Sequence, residues 1–375
     1  MDAVMGIDLG STTCKAVILD ERGGIIGRGI THTRMNHHLA AEMAAQEAEV
    51  NARLALLGKV GDLGPEELAR LELRYCRADY RHKHRALLAH LGRLAEKRGQ
   101  RDWPAVIERM GAYVEDLLLG DDAGAAIVDR SRFFRDLAGL WYADAVARLL
   151  PAAGLEANDF LMLLDQAFPA VENEVSPLEP GEALAGREET LPAPLLAALG
   201  REEIRIRSRI GTGYGRQLLP FPPERIVSEI MCHARGAHRL FPGTRTVLDI
   251  GGQDTKAIQV DPAGIVTSFQ MNDRCAAGCG RYLAYVADEV GLGLAELGPT
   301  ACGSCRFVPV TSTCTVFAGA EVRTLLHAGE QKEDALMGLH RAVVLRAFAL
   351  LARSGGVSDQ FTFTGGVAKN EAVAS

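Results

Sequence analysis

The sequence predicts an α/β protein of two duplicated lobes, with a long helical segment inserted into the first. Three observations predict it. DLGSTTCKAVIL, starting at Asp8, is repeated as DIGGQDTKAIQV, starting at Asp249, with Asp, Gly, Lys and Ala in register. A repeat of this kind implies a two-lobed body with a cleft between the halves. Around both copies the pattern is short strand, glycine-rich turn, short strand. From about Met35 to Ala198 the texture changes to Ala, Leu, Arg and Glu with apolar residues about every 3.6 positions, which is the period of a helix facing a core.

Taken in order, Val4–Leu9 and Lys15–Leu19 read as apolar strands around the turn Gly10-Ser11-Thr12-Thr13. Asp20–Gly24 turns the chain into a third strand, Ile25–Thr31, giving a β-meander. Helices follow in stretches such as Ala40–Leu57, Glu66–Lys97, Trp103–Leu119 and Phe133–Leu150, and the Pro-, Glu- and Gly-rich Val175–Glu189 reads as a linker. A strand at Glu203–Ile210 leads into the turn GTGYGR and a helix around Pro223–Leu240, whose start Pro222-Pro223 favours. The second copy, Thr246–Ile250 and Thr255–Val260, is followed by helices at Ala276–Val290, Ala318–His327 and Lys332–Ser354. A last strand, Gln360–Thr364, ends in Gly365-Gly366. The expected organisation is therefore residues 1–35 and 199–245 as the first lobe, 36–198 as helical insertion and linker, and 246–375 as the second lobe.

Composition excludes several classes. With 375 residues, 47% of them hydrophobic, the chain can bury more than one core. A net charge of −7 gives no general nucleic-acid footprint, and the arginines at 77–85 and 201–209 read as solvated faces. The first residues lack a basic region and a long apolar run, and Arg346 breaks the longest later candidate, so no run reaches the roughly 18 residues of a membrane span. The expectation is a cytoplasmic protein that binds neither membrane nor nucleic acid. In a reducing compartment, eight cysteines read as core thiols, metal ligands or redox groups.

Each repeat ends its first strand on an Asp and turns on glycines, which lets backbone N–H groups approach phosphate oxygens. Asp8 and Asp249 become candidates to hold hydrated Mg²⁺, directly or through water, from either side of the cleft. Gly10, Ser11, Thr12, Thr13, Lys15, Gly251 and Gly252 are candidates for phosphate contact, and Gly365 and Gly366 for ribose or adenine. No GxxxxGK[ST] loop is present, and no GxGxxG opens a helix after the first strand. A single D-x-G hairpin is more often an ordinary turn; two copies followed by TGG in this order are not. Five cysteines lie within forty residues: Cys275, Cys279, Cys302, Cys305 and Cys314. Cys302-x-x-Cys305 alone allows zinc or a redox dithiol. Cys14, Cys76 and Cys232 read as core thiols, and the histidines of the helical segment (His37, His38, His82, His84) as surface residues.

GIDLGSTTCKAVI, TGYGR, SEIMCHARGA, LDIGGQDTKAI, FQMNDRCAAGCGRYL, STCTVFAGAEV and FTGGVAKNE, in that order, resemble the BadF/BadG/BcrA/BcrD ATPase family. That family holds activators of 2-hydroxyacyl-CoA dehydratases and the ATP-hydrolysing subunits of benzoyl-CoA reductase. The resemblance covers residues 1–35 and about 200–375. It implies the actin-like ATPase fold of ribonuclease H-like lobes and the cofactors ATP and Mg²⁺. It also implies one [4Fe-4S] cluster bridging two subunits, held in each by the residues in the positions of Cys275 and Cys314. Both would precede helices, whose N-terminal amides would face the anionic cluster. Gln253 and Asp254 are then the candidates to orient water or Mg²⁺ for hydrolysis. An intrachain four-cysteine site stays open, because Cys279, Cys302 and Cys305 are additional to the family pattern. The implied function is ATP-driven delivery of low-potential electrons to a CoA-ester reductase or dehydratase on partner subunits. The long insertion resembles the larger ATPase subunit of benzoyl-CoA reductase, which pairs with a homologous ATPase subunit; the dehydratase activator is the alternative. A sugar-kinase-like phosphotransferase of the same fold would have no use for Cys275 and Cys314. Family members usually continue past TGG, so the second lobe is expected to be C-terminally incomplete at Ser375.

Overall fold

The computed structural model describes residues 1–33, 36–99, 102–120, 124, 127, 134–151, 155–174, 178–184, 199, 204–272, 279–312 and 314–375. The chain divides into two units, Met1–Ile226 and Val227–Ser375.

In the first unit, β1 (Asp2–Leu9), β2 (Thr13–Asp20) and β3 (Ile25–His32) form the meander, and β4 (Arg205–Thr212) adds parallel to β1, giving the order β3-β2-β1-β4. Alternation along β1 and β2 buries Met5, Ile7, Leu9, Cys14, Ala16 and Ile18 on one face. Helix α1 (His37–Val60), capped by the Asn36 side chain at Leu39 N (3.1 Å), lies on that face with a stripe of alanines. Its approach is unusually close. A Cβ on Gly27 or Gly29 would fall 2.1 Å from the Ala48 carbonyl oxygen or 2.0 Å from that of Ala44. Small residues on both sides let the backbones touch.

The inserted helices build a core of their own. In α2 (Pro65–Lys97), α3 (Trp103–Leu119), α4 (Phe134–Leu149) and α5 (Ala157–Glu172), residues such as Leu87, Met110, Tyr142 and Phe160 cluster apart from the sheet residues. Trp103 stacks on Phe160 with ring centroids 5.6 Å apart. A short helix, α6 (Pro180–Leu184), packs Leu184 against α1 residues Val50, Leu54 and Leu57. The expected linker lies partly outside the described residues.

The second unit repeats the first sheet: β5 (Thr246–Ile250), β6 (Thr255–Val260), β7 (Val266–Asn272) and, parallel to β5, β8 (Phe361–Thr364), in the order β7-β6-β5-β8. Helix α7 (Glu229–Leu240) packs Ile230, Ala234 and Ala237 with Val247, Ile258 and Val260. A second core holds Leu248, Ile250 and Ala257 with α8 (Gly280–Glu289), α9 (Leu294–Cys302), α10 (Thr315–His327) and α11 (Lys332–Ser354). The turn α12 (Glu371–Ala374) adds Ala372. By length and composition α11 could cross a bilayer, but half of its apolar window is buried in this core, as in a central helix of a folded domain.

Four local expectations change, one of them at His84, which is buried and hydrogen-bonded to the Tyr142 hydroxyl (3.0 Å) and does not lie at the surface. The helix expected from Pro223 is only a 3₁₀ turn at Pro223–Arg225; Ile226 pairs with Gly211 in a parallel bridge, so helix α7 starts after Ser228. Strand β4 runs on to Thr212, because its pairing with β1 continues as far as Asp8. The expected start of the helix at Ala276 lies outside the described residues, and α8 begins at Gly280.

Candidate active site

Both sheets bring the same four residue types together, on strands distant in sequence. In the first unit Asp8, next to last in β1, lies opposite Lys15 on β2 and opposite Thr212 on β4, and Gly213 follows Thr212 with φ +96°. In the second, Asp249 lies opposite Lys256 on β6 and Thr364 on β8, and Gly365 follows with φ +91°. Each glycine is required. A Cβ on Gly213 would fall 2.4 Å from Asp8 Oδ1, and one on Gly365 would fall 2.2 Å from the Ile250 carbonyl oxygen. The Asp and Lys were visible in the repeat and TGG at Thr364–Gly366 as a later contact; that Thr212-Gly213 and Thr364-Gly365 lie beside the two Asp was not, because parallel strands far apart in sequence supply them.

The two copies differ in electrostatics. The Lys15 ammonium is 3.4 Å from Asp8 Oδ2, with side chains 42% and 36% exposed, and the Thr212 hydroxyl is buried with no hydrogen-bond partner among the described residues. Gly10, Ser11, Thr12 and Thr13 form the turn beside them, with Ser11 and Thr12 exposed, and Thr33 Oγ1 donates to the Gly10 carbonyl (2.6 Å). Behind the turn, burial and then the Asp8 charge, only partly offset by Lys15, push the Cys14 thiol up to about 12, so it stays protonated core. Here a carboxylate and an ammonium are presented at an open turn with the Thr212 hydroxyl buried beside them, a set that suits a phosphate and its hydrated cation.

In the second unit the same groups are closed off. The side chains of Asp249 and Lys256 are each 4% exposed. The Lys256 ammonium reaches Asp254 Oδ1 at 2.6 Å, Glu229 Oε1 at 3.1 Å and Asp249 Oδ2 at 3.6 Å. Burial pulls its pKa down, yet the three carboxylates outweigh that and leave it raised. Thr364 Oγ1 donates to Asp249 Oδ1 at 2.9 Å, and His233 Nδ1 lies 3.7 Å from the same oxygen. Asp254 is thus held by Lys256, and Gln253 sits half-buried beside it. Gly251 and Gly252 form the turn, and Gly365 and Gly366 are exposed at the end of β8. Sequence reading missed Glu229 and His233, because their approach to Lys256 and Asp249 depends on how α7 packs.

The turn is bonded to the cysteine region. Gly280 N and Arg281 N, the first amides of α8, donate to the Gly251 and Gly252 carbonyls at 2.8 Å each. One residue further on, the Tyr282 hydroxyl donates to the Ser312 carbonyl (3.4 Å), which also accepts from Arg346 Nη2 (2.8 Å). Glu321 accepts from Thr311 N (2.9 Å) and Ser312 N (2.8 Å); burial alone would raise its pKa, but these bonds hold it low. That braced segment leads to Cys314, half-buried at the N-cap of α10. Cys279 caps α8 and is buried, and Cys302 and Cys305 are exposed. Cys275 lies outside the described residues. Among the described residues no three His, Cys, Asp or Glu side chains form a metal-binding group, so Cys279, Cys302, Cys305 and Cys314 alone do not assemble the intrachain site left open above.

The family model of the BadF/BadG/BcrA/BcrD ATPases matches residues 5–375. The chain belongs to this ATPase family. The (R)-2-hydroxyglutaryl-CoA dehydratase activating ATPase of Acidaminococcus fermentans is 44% identical over 44% of this chain and 62% of its own length. The 2-hydroxyisocaproyl-CoA dehydratase activator of Clostridioides difficile is 41% identical over 47% and 64%. A benzoyl-CoA reductase subunit of Thauera aromatica is 34% identical over 37% and 49%. The chain thus spans less than two thirds of the length of these curated relatives. Among solved structures, the A. fermentans dehydratase component A superposes with a TM-score of 0.51 at 24% identity, covering 100% of this chain and 86% of that one. At that identity the likeness speaks to fold, and the fold is that of the actin-like ATPases, two duplicated α/β lobes with helices inserted in the first. The ranking of relatives favours the dehydratase-activator reading over the benzoyl-CoA reductase one.

Proposed function

We propose that this family member is the ATP-hydrolysing electron-transfer component that activates a 2-hydroxyacyl-CoA dehydratase, a cytoplasmic protein acting on a separate catalytic partner. The observation that carries this is the pair of hydrogen bonds from Gly280 and Arg281 to the carbonyls of Gly251 and Gly252. They fasten a glycine-rich turn of the nucleotide-gripping kind to the helix that follows the Cys275 segment.

When bound, ATP supplies the free energy of phosphoryl transfer to water, and a [4Fe-4S] cluster shared by two subunits supplies one-electron chemistry. The chain's own residues have the following roles. Asp8, flanked by Lys15 and the Thr212 hydroxyl, holds hydrated Mg²⁺; Gly10, Ser11, Thr12 and Thr13 give amide and hydroxyl donors to phosphate oxygens. Asp249, paired with Lys256 and accepting from the Thr364 hydroxyl, fixes the turn in which Gln253 and Asp254 orient water. Gly251 and Gly252 contact phosphate, and Gly365 and Gly366 leave a face without side chains for the nucleoside. A displacement of the Gly251–Gly252 carbonyls drags the N-terminus of α8 and, through Tyr282 and Ser312, the segment entering Cys314. Cys275 and Cys314 are the cluster ligands, two from each protomer of a dimer. The chain's two lobes carry one copy of the repeat each, with residues 36–198 inserted in the first.

Anaerobic purification tests the reading. The expected protein is brown, contains about four irons per dimer and hydrolyses ATP. Cys314→Ala loses iron and keeps nucleotide binding, while Asp8→Ala keeps iron and loses hydrolysis. A dimer without iron and without ATPase activity refutes the proposal. Electron delivery to a benzoyl-CoA reductase is the second reading, favoured by the 34% identity to the T. aromatica protein; assays with the two kinds of acceptor separate them.

A further inference from the structure

We propose that Cys302 and Cys305 form a redox-active dithiol that closes to an intramolecular disulfide by exchange with a low-molecular-weight disulfide such as glutathione disulfide. The function above makes no use of either residue.

Among the described cysteines, these two are exposed, whereas Cys14 and Cys279 are buried and Cys76, Cys232 and Cys314 are half-buried. Neither sulfur fills a core, and no third metal-binding side chain joins them among the described residues. Two accessible thiols with two residues between them are left, the arrangement of an exchanging pair. The geometry supports closure. Cys302 is the last residue of α9, and Gly303 caps it with φ −76° and ψ −1°. Gly303 N donates to the Thr300 carbonyl (3.1 Å) and Ser304 N to that of Ala301 (3.0 Å), so the chain folds back at once.

The far side of the turn is pinned by one buried carboxylate. Asp334 Oδ1 accepts from the Ser304 hydroxyl (2.8 Å), Cys305 N (3.0 Å) and Arg306 N (2.9 Å). The Arg306 amide first, and then the Ser304 hydroxyl, hold the Asp334 carboxyl below the usual range, so this anchor stays ionised. The backbone of Cys305 is fixed while its sulfur remains at the surface. That sulfur lies 3.7 Å from the Gly303 carbonyl oxygen, back over the residue that follows Cys302. A turn already pinned at both ends loses little further chain entropy on ring closure.

The exchange balances. One thiolate attacks glutathione disulfide, releasing one glutathione thiolate and leaving a mixed disulfide on the protein. The second thiolate attacks the protein sulfur of that bond and releases the second glutathione. Two protein thiols are oxidised, one glutathione disulfide is reduced to two thiols, and the two protons pass to the released glutathiones.

The test uses the full chain, held with glutathione disulfide or with dithiothreitol, acid-quenched, alkylated and digested with trypsin. The peptide from Tyr282 to Arg306 contains Cys302 and Cys305 and no other cysteine. After glutathione disulfide it is expected unalkylated and two hydrogens lighter, with full return to two alkylated thiols after dithiothreitol. Cys302→Ser and Cys305→Ser are each expected to carry one glutathione on the remaining thiol, which shows that closure needs the pair. A wild-type peptide carrying two glutathiones, or alkylated at both thiols whatever the treatment, overturns the proposal. Tightly bound zinc that blocks alkylation and is lost in both serine variants overturns it in favour of a metal site.

Discussion

Lys15 and Lys256 hold the same place in the two copies of the repeat, yet their surroundings set very different energetic roles. Lys256 is buried with Glu229, Asp249 and Asp254, so Lys256→Met leaves three carboxylates without their shared cation. The expected cost is about 3–5 kcal/mol, the range for breaking a buried charge pair. Lys15 is 42% exposed, and Lys15→Met is expected to cost under about 1 kcal/mol, because water screens its pairing with Asp8. Urea unfolding of the two variants checks the contrast; equal losses would refute the sealed-versus-open distinction. His340 allows a pH prediction. Fully buried, it bonds the Leu336 carbonyl through Nδ1 (2.7 Å) and Asn370 Nδ2 through Nε2 (3.1 Å). Burial lowers its pKa, and the Leu336 bond only partly opposes this. A histidine with a lowered folded pKa is fully stabilising above its unfolded value near 6.5, and that stability is lost as pH falls toward the folded value, since the unfolded chain binds the extra proton. The urea midpoint should therefore fall from pH 7.5 to pH 5.5, with a shallower fall in His340→Gln.

At the scale of elements, close approach of backbones decides what the sheet can carry. Gly27 and Gly29 on β3 face the Ala48 and Ala44 carbonyls of α1, so Gly29→Ala forces the helix off the sheet. A loss of about 1–3 kcal/mol or more is expected in chemical denaturation. Gly92, inside α2 with nothing near its missing Cβ, provides the opposite case. Gly92→Ala should gain roughly 0.5–1 kcal/mol, since alanine favours a helix interior and loses less backbone freedom on folding. Periodicity made most of these elements readable from sequence: Trp103–Leu119, Thr246–Ile250, Thr255–Val260 and Lys332–Ser354 have the bounds that apolar spacing gave. Helices α5 and α9 escaped it. Each carries an internal proline, Pro169 or Pro299, which reads locally as a break although the tertiary core keeps the helix. Strand β7 holds no fully buried residue and alternates half-buried with exposed positions only over its first half, so its pairing with β6 defines it better than its own pattern does. In the candidate site, the Asp-x-Gly turns and the Lys of each repeat were legible because they are contiguous. Thr212, Glu229, His233 and the place of Thr364 beside Asp249 were not, because only the parallel pairing of β4 and β8 and the packing of α7 bring them in.

Across the whole chain, duplication followed by divergence leaves one copy of the Asp-Lys-Thr-Gly arrangement open and the other closed off by ion pairs and hydrogen-bonded to the cysteine region. Asp249 and Lys256 stabilise the Gly251–Asp254 turn, the turn carbonyls hold the start of α8, and Tyr282 on α8 reaches Ser312, two residues before Cys314. If nucleotide state alters the cluster through this path, linkage requires that cluster oxidation state alter nucleotide affinity by the same factor. For the iron-loaded protein, ADP affinity is expected to differ between oxidised and reduced forms by about 5–150-fold, the usual range for coupled sites. Tyr282→Phe keeps the buried ring and removes only the hydroxyl bonded to Ser312, so it should bring that ratio toward one while leaving iron content and oxidised-state affinity unchanged. Gly280→Ala acts at the other end of the path, placing a Cβ 3.2 Å from the Gly251 carbonyl oxygen. It should reduce the ratio in the same direction, and the double variant should show no further loss, because two breaks in one chain of contacts are not additive. Equilibrium titration of a fluorescent ADP analogue against both redox states decides the matter. A ratio unchanged in both variants would mean that these hydrogen bonds hold the fold together without carrying the coupling.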